Sequence, residues 1–301
     1  MGSFSEPHSG VGPGPVRHHG SVLTTSALRV LGAADLESAA QWLARDPVAN
    51  VFVASRVEAA RQHSWRLGGE LWGYLTDGEL TGLCYAGANL VPCADDPQAI
   101  HAFAERARRR GRRCSSIVGP QDQVMALWGE LEPVWGPARD IRSDQPLLAI
   151  EGPTLIPADP AVRPVRSDEL DLILPACIDM FTEEVGVSPL GSDGGVLYRA
   201  RVRELVAAGR SFARIQNGTV LFKAEIGAVS ERACQVQGVW VHPDHRGTGL
   251  SGPGMAAVVD QATATLAPVV SLYVNGFNAA ARRAYERVGF AQVGTFTTIL
   301  F

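Results

Sequence analysis

The order of apolar and polar residues follows the same plan twice along the chain. In the first half, GELWGYLTDGELTGLCYAGANLV forms two apolar-rich runs around Asp77-Gly78, and in the second, SFARIQNGTVLFKAEIGAV does so around Asn217-Gly218. Such runs are typical of β-strands, and both dipeptides favour the backbone of a tight hairpin turn. The pattern therefore predicts one β-hairpin in each half.

Each predicted hairpin is followed by a helix, a strand and a second helix. In the first half these are DPQAIHAFAERARRRG, RCSSIVG and QDQVMALWGELEPVWG, and in the second SGPGMAAVVDQATATLA, PVVSLYVN and NAAARRAYERVG. Each half then closes with an apolar strand, QPLLAIE or FTTILF. Because helices and strands alternate in the same order twice, we predict an α+β fold built from two copies of one unit.

The segment between the two copies, EGPTLIPADPAVRPV, contains four prolines and predicts a linker. We place a disordered tail rich in Gly, Pro, Ser and His at residues 1–22, a first domain at 23–151, the linker at 152–163 and a second domain at 164–301. Only the second copy contains VQGVWV followed by a glycine-rich loop. We therefore expect one site, in the second domain.

Composition and charge exclude several classes of protein. The chain has 301 residues, 46% of them hydrophobic, and no apolar run long enough to span a membrane. A net charge of −4 does not fit a nucleic-acid-binding protein. The five cysteines form no CxxC pair, which argues against a zinc site and fits a reducing compartment. We expect a cytoplasmic protein with no metal and with neither nucleic acid nor membrane as partner.

A run of arginines, ERARRRGRRC, closes the first predicted helix of the first half. Cations stabilise the C-terminus of a helix through its dipole, which explains the run as a solvated helix end. A docking patch for an acidic partner is the alternative interpretation.

The loop HPDHRGTGLSGPGM carries four glycines directly after the apolar run: Gly247, Gly249, Gly252 and Gly254. Glycine adopts positive φ freely, and amides that precede a helix bind anions, so the loop predicts a phosphate site; a glycine-rich loop without chemical importance is the alternative. GTGLSG matches the dinucleotide fingerprint, but the acidic residue required about 20 residues later is absent. A P-loop is excluded because Pro253 and Gly254 replace Lys and Ser or Thr.

The loop and its flanks resemble a known family. VWVHPDHRGTGL is similar to motif A of the GNAT superfamily of acyl-CoA-dependent N-acyltransferases, Q/R-x-x-G-x-G/A, with Arg246, Gly249 and Ser251 at the fixed positions. Ser251 departs from the usual Gly or Ala. SLYVNGFNAAARRAYERVGF resembles motif B, L-x-V-x-x-x-N-x-x-A-x-x-x-Y-x-x-x-G-F, at Leu272, Val274, Asn278, Ala281, Tyr285, Gly289 and Phe290. The resemblance covers roughly Pro164 to Phe301.

The first half shares the layout without the motifs, as in the tandem GNAT chains of actinobacteria that carry a degenerate N-terminal copy. The resemblance implies two GNAT-like domains, each a mixed, mostly antiparallel sheet flanked by helices. It also implies an acyltransferase that moves an acetyl or other acyl group, not an amino-acyl group, from acetyl-CoA to an amine by direct attack in a ternary complex. The amine belongs to a small molecule or a protein. A small-molecule acyltransferase of mycothiol-synthase type and a silent acyl-CoA sensor or interaction module are the alternatives.

By the same resemblance, acetyl-CoA is the co-substrate, and its binding residues are Val239, Trp240, Val241, Arg246, Gly247, Thr248, Gly249, Leu250, Ser251, Gly252, Asn278 and Tyr285. The Val241 amide is the implied oxyanion donor, and Asn278 is also a typical helix N-cap. Tyr285 is the implied general acid, although its helical stripe with Ala281 and Val288 fits a core aromatic equally well.

The general base is the part of the site that the residues determine least. Gln235 stands where many relatives carry Glu, and an amide cannot accept a proton at neutral pH. We predict Glu183 and Glu184 as catalytic residues, in MFTEEVGVSP, which we interpret as a loop on the acceptor side. Glu225, the terminal carboxylate of Phe301 and a water relay are the other candidates.

Overall fold

The computed structural model describes residues 1–2, 25–191 and 194–301, so nearly all of the predicted tail at 1–22 lies outside the described residues. In these ranges the strands are β1 Ser26–Val30, β2 Glu70–Thr76, β3 Glu79–Ala86, β4 Asn89–Cys93, β5 Ser116–Pro120, β6 Asp140–Glu151, β7 Val162–Pro164, β8 Ser211–Gln216, β9 Thr219–Val229, β10 Ala233–Val241, β11 Val269–Tyr273 and β12 Ala291–Leu300. The α-helices are α1 Leu36–Leu43, α2 Val51–Gln62, α3 Pro97–Arg110, α4 Gln121–Trp135, α5 Leu170–Val185, α6 Val196–Ala207, α7 Ser251–Thr265 and α8 Ala279–Val288.

The two predicted hairpins are present and join β2 to β3 and β8 to β9. Asp77 and Asn217 have φ of +51° and +50°, and the glycines that follow them have φ of +86° and +75°. Two consecutive positive φ values give the turn whose twist matches that of the flanking strands, and Asp-Gly and Asn-Gly reach it at little cost. The helices and strands predicted after each hairpin are also found.

The first half contains a strand that the sequence pattern does not distinguish. Asn89–Cys93 forms β4, the counterpart of β10, and pairs with β5 in parallel as β10 pairs with β11. Both parallel pairs are short, since two residues of β4 and three of β10 take part. Beyond these residues the paired strands diverge, and each half therefore has a cleft between its parallel strands.

The strands of both halves form one sheet in the order β1-β2-β3-β4-β5-β12-β6-β11-β10-β9-β8-β7. The closing strands are exchanged: β6 of the first half lies beside β11 of the second, and β12 of the second half lies beside β5 of the first. Leu148 and Ile150 of β6 are buried in the core of the second half, and Ile299 of β12 in that of the first. The strands on the two sides of the predicted linker at 152–163 thus belong to one continuous sheet.

Helices cover both faces of the sheet, and alternate residues of its strands supply the two cores. In the first half Leu71 packs with α1 and α2, and Trp72 with α3 and α4. In the second half Phe212 packs with α7 and α8, and Ala213 with α5 and α6. Burial of each large apolar side chain contributes about 1.5–3 kcal/mol. Among the described helices none is long and apolar enough to cross a membrane.

The arginine run forms the end of α3. Arg106 and Arg110 pair with Glu70 at 3.4 Å and 2.8 Å, and Arg108 pairs with Glu130 at 3.3 Å. These three guanidinium groups are thus engaged with carboxylates of the first half.

Candidate functional site

The divergence of β10 and β11 opens a cleft of about 560 Å³ in the second half. The last paired residues are Gln235 and Ser271, and a bulge in β10 then turns its edge away from β11. Val236–Trp240 line one wall and Leu272–Asn275 the other. The free edge of β10 leaves backbone donors and acceptors that an extended ligand could pair with.

Tyr285 reaches the cleft from α8. The helix begins at Asn278, whose side chain accepts a hydrogen bond from the Ala281 amide at 3.1 Å, as predicted for an N-cap. The Tyr285 ring is 5% exposed and packs with Val288 in the core, while the residue also lines the cleft. Among the described residues its hydroxyl has no hydrogen-bond partner. Burial, and to a smaller extent the Glu184 carboxylate, raises the pKa of Tyr285, so its hydroxyl keeps its proton at neutral pH.

Glu183 and Glu184 also line the cleft, but the prediction that they lie in a loop is wrong. α5 continues through both residues and ends only at Gly186, which has φ of +77°. The apolar residues of this helix keep their spacing up to Val185, and the two carboxylates therefore belong to its last turn. Glu183 accepts two hydrogen bonds from Arg246 Nη2, at 3.0 Å and 2.7 Å, so its carboxylate is occupied by a charged partner.

The Glu184 carboxylate has no such partner in the described part of the chain. The side chain is exposed to the open cleft, but the cleft walls exclude much of the surrounding water. This desolvation raises the pKa of Glu184, while Arg142 and Lys223 oppose the rise. A carboxylate with a raised pKa and free lone pairs is suited to accept a proton, which makes Glu184 the better placed of the two predicted residues.

Glu225, a further candidate base, is buried below the bulge of β10. Its Oε1 lies 2.6 Å from Lys223 Nζ and accepts a hydrogen bond from Cys177 Sγ at 3.4 Å. Burial alone would raise the pKa of Glu225, but the ion pair with Lys223 outweighs it and the pKa is lowered. A Cβ at Gly238 would lie 3.3 Å from Lys223 Nζ, so the pair supports the bulge from beneath. Glu225 is therefore a structural carboxylate.

Two other residues considered for the base lie elsewhere. Gln235 belongs to the last paired step of β10 and β11 and does not line the cleft. Phe301 packs against Trp128 and Trp135 of α4, with ring centres 5.6 Å and 5.7 Å apart, in the core of the first half.

The four glycines of the loop serve two purposes. Gly247 and Gly249 have φ of +76° and +89°, and a Cβ at either would point into open space. Gly252 and Gly254 lie in α7, where a Cβ on Gly254 would come within 2.9 Å of the Phe222 ring. The first pair is required by the path of the loop and Gly254 by packing of the helix on the sheet, whereas Gly252 lies against the Ile156 side chain of the segment between β6 and β7.

The backbone of this loop offers free donors. The amides of residues 247–252 donate no hydrogen bond to any group in the described part of the protein, and Leu250 gives α7 no side-chain cap. The positive end of the helix dipole lies at the same place. Free amides beside an uncapped helix N-terminus fit a phosphate or pyrophosphate group.

The Val241 amide faces the open edge of β10. The His242 amide donates to the Leu221 carbonyl of β9 at 3.0 Å, and neighbouring amides of a strand point to opposite edges. The Val241 carbonyl accepts from Arg246 Nε at 3.1 Å. Of the predicted acetyl-CoA residues, Val239, Trp240, Asn278 and Tyr285 line the cleft, whereas Val241 and the loop from Arg246 to Gly252 lie outside its lining.

The first half supplies cleft residues that the sequence pattern missed. Asp140, Arg142 and Gln145 of β6 line the cleft next to the end of α5. Gln145 Nε2 donates to Asn275 Oδ1 at 2.9 Å. The pattern predicted a strand only from Gln145 onward, because the preceding DIRSD lacks a run of apolar residues. Only the exchange of β6 brings these side chains to the second half.

Family models match two separate segments of the chain. Residues 69–173 match DUF4081, a domain of unknown function, and residues 194–290 match the acetyltransferase (GNAT) family. No curated protein matches the chain.

Several solved structures share the fold over most of the chain. A GCN5-related N-acetyltransferase from Sphaerobacter thermophilus has a TM-score of 0.58 at 14% identity, covering 91% of this chain and 95% of its own. A tandem GNAT protein from the clavulanic acid biosynthesis pathway has a TM-score of 0.54 at 15% identity, with 92% and 98% covered. A GNAT-family acetyltransferase from Colwellia psychrerythraea has a TM-score of 0.51 at 11% identity, with 91% and 99% covered. Residues 194–290 thus match a GNAT acetyltransferase domain that follows a domain of unknown function, and the fold over most of the chain is shared with solved GNAT-family and tandem GNAT structures.

Proposed function

We propose that the protein is an N-acetyltransferase that transfers an acetyl group from acetyl-CoA to an amine acceptor by direct attack in a ternary complex. One observation carries the proposal: Tyr285 and Glu184 line the same cleft from opposite faces of the sheet. A phenol that keeps its proton and a carboxylate with a raised pKa are the donor and the acceptor of protons that this transfer needs.

The glycine loop and β10 are suited to hold acetyl-CoA. The free amides of residues 247–252 and the start of α7 would bind the pyrophosphate, and the open space beside Gly247 and Gly249 leaves room for it. The free edge of β10 at Val239 and Trp240 would pair with the pantetheine amides. Asn278 lies at the rim of the same cleft, next to this path.

The residues around the cleft would then divide the chemistry. As the amine nitrogen attacks the thioester carbonyl, Glu184 accepts the proton that the nitrogen loses. The Val241 amide donates to the developing oxyanion, in the manner of an oxyanion hole. When the C–N bond has formed and the C–S bond breaks, Tyr285 donates a proton to the sulfur. Each role uses an atom that faces the open edge of β10 or the cleft.

The acceptor enters from the side of α5 and β6. Asp140 pairs with Arg142 and Glu183 pairs with Arg246, so among the described residues the Glu184 carboxylate is the negative charge left without an ion-pair partner at this entrance. This carboxylate attracts a positively charged amine, on a small molecule or on a protein, and the ammonium releases its extra proton to solvent before the neutral nitrogen attacks. We propose that the protein acts in the cytoplasm.

The test is an acceptor screen that measures free thiol release from acetyl-CoA with a panel of amines, together with calorimetry of CoA binding. We expect thiol release with at least one class of amine and its loss in Glu184→Gln. CoA binding without thiol release for every amine would contradict the proposal and favour an acyl-CoA sensor.

A further inference from the structure

The strand β6 and the residue before it, both from the first half, make direct contact with the helix that carries Glu184. Arg142 Nη2 donates to the Glu184 carbonyl at 2.6 Å, and Arg139 Nη1 donates to the Val185 carbonyl at 3.0 Å. The last carbonyls of an α-helix lack partners within the helix, and cations at this end also interact favourably with its dipole. The first half therefore holds the last turn of α5 in place.

Arg142 is held more firmly than Arg139. Its Nε donates to Asp140 Oδ2 at 3.0 Å, and its side chain is 17% exposed. It lines the cleft, whereas Arg139 lies outside and is exposed. The two arginines thus cap neighbouring carbonyls of one helix end, but only Arg142 faces the space that the Glu184 carboxylate occupies.

Charged and titratable groups face Glu184 from every element around the cleft. These are Asp140 and Arg142 on β6, Glu183 on α5 itself, Lys223 and Glu225 on β9, Tyr273 on β11, Tyr285 on α8 and Tyr198 on α6. Desolvation raises the pKa of Glu184, and among the charges that act on it Arg142 opposes this rise most strongly. Lys223 contributes less, since Glu225 takes up much of its charge.

We infer that Arg142 of the first half is a positioning residue for Glu184 of the second half: it fixes the last turn of α5 so that the carboxylate faces Tyr285 across the cleft. The inference rests on the proposed role of Glu184 as general base. It gives the degenerate half a definite part in the reaction, because the acetyltransferase domain contains no residue of its own at this position. Tandem organisation would then be a requirement of the active site.

The experiment compares Arg142→Gln with Arg139→Gln in the full chain. Each variant removes one cap from α5, so both should melt at similar, slightly lower temperatures. Loss of a positioning contact typically lowers the rate substantially, so we expect kcat to fall about 10–100-fold in Arg142→Gln with little change in KM for acetyl-CoA. Arg139→Gln should keep kcat within about threefold of the parent protein.

The pH profile separates positioning from general damage. A base must be deprotonated, so activity is present above the pKa of Glu184 and is lost as the pH falls through it. Removal of the Arg142 charge raises this pKa further, and the acidic limb of the kcat/KM profile should move to higher pH. Arg142→Lys retains the charge but not the planar fork of donors. Compared with Arg142→Gln, it should return the acidic limb of the kcat/KM profile to its position in the parent protein and restore only part of kcat.

A readout without turnover keeps this inference separate from the proposed function. Nuclear magnetic resonance titration of ¹³C-labelled glutamate, assigned with Glu184→Gln, follows the Glu184 carboxyl directly in protein without substrate. A higher Glu184 pKa in Arg142→Gln, with no change in Arg139→Gln, supports the contact even if no amine is acetylated. Equal pKa values in both variants, or equal losses of kcat, would overturn the role of Arg142. If the parent protein is active and Glu184→Gln keeps full activity, Glu184 is not the general base. The titration result would still stand in that case.

Discussion

Replacement of Tyr285 by Phe tests the proposed general acid with the smallest possible change. Phe keeps the ring, which packs against Phe290 with centres 6.0 Å apart, and removes only a hydroxyl that has no hydrogen-bond partner in the described part of the protein. No donor or acceptor is therefore left unsatisfied, and we expect the free energy of unfolding to change by less than about 0.5 kcal/mol. General acid catalysis is typically worth about 10²–10⁴-fold, or about 2.7–5.4 kcal/mol of activation free energy.

Steady-state kinetics with the amine found in the acceptor screen measure the effect, and thermal melting and calorimetry check the fold and CoA affinity. We expect kcat to fall by at least about 100-fold, with CoA affinity and melting temperature close to those of the parent protein. Tyr85→Phe is a matched control. The Tyr85 hydroxyl donates to the Gly68 carbonyl at 3.0 Å, and the residue lies in the core of the first half. Loss of this bond should cost about 0.5–1.5 kcal/mol of stability and leave kcat unchanged.

The opposite pattern would refute the reasoning. If Tyr285→Phe keeps kcat within about threefold and instead lowers stability, the residue is a core aromatic and the thiolate leaves without its help. The pKa of Tyr285 gives a second check, because burial raises it above the ordinary value of about 10. The parent protein should therefore show no loss of activity from Tyr285 deprotonation up to about pH 10. If activity instead falls below that pH in the parent protein and not in the Phe variant, the pKa of Tyr285 is not raised.

Three further predictions concern the loop, the buried ion pair and the exchanged strand. Gly249→Glu should abolish CoA binding in calorimetry. Gly78→Glu is the control: Gly78 has a φ of +86°, Gly249 one of +89°, and both lie in open surroundings, so the two variants bear similar backbone strain, but Gly78→Glu should bind CoA normally. Equal CoA binding by both variants would remove the loop from the CoA site. Glu225→Gln leaves the fully buried Lys223 without a counter-charge, so the free energy of unfolding measured by chemical denaturation should fall by about 3–5 kcal/mol. The acidic limb of the pH–rate profile should stay in place, and a shift of that limb would show that Glu225 takes part in catalysis. A Pro164–Phe301 fragment lacks β6, so it should not show a cooperative melting transition or acetyl transfer, and a stable, active fragment would show the first half to be dispensable.

The local parts of the fold could be predicted because local residues determine them. Asp77-Gly78 and Asn217-Gly218 specify their turns through positive φ, and Asn278 specifies the start of α8 through its own side chain. The glycine loop could be predicted for the same reason, since Gly247 and Gly249 are needed where the chain takes a left-handed path. Each of these signals lies within a few residues of the structure it determines.

The non-local parts could not be predicted in this way. The apolar alternation of β6 and β12 shows that both strands are buried, but it contains no information on which neighbour each strand pairs with. Asp140 and Arg142 consequently could not be assigned to the cleft, since their place depends on pairing with β11 and β12. Glu183 and Glu184 line the cleft from the last turn of α5, although the sequence analysis placed them in a loop.

The position of β12 in the sheet also has a consequence for synthesis of the protein. β12 follows every other described strand along the chain, yet it pairs with β5 of the first half and with β6. While the ribosome is still making the second half, β5 has one unpaired edge and β6 has two, and such edges invite association with other chains. The first half therefore cannot complete its part of the sheet before β12 has emerged, and these edges stay open to association until then.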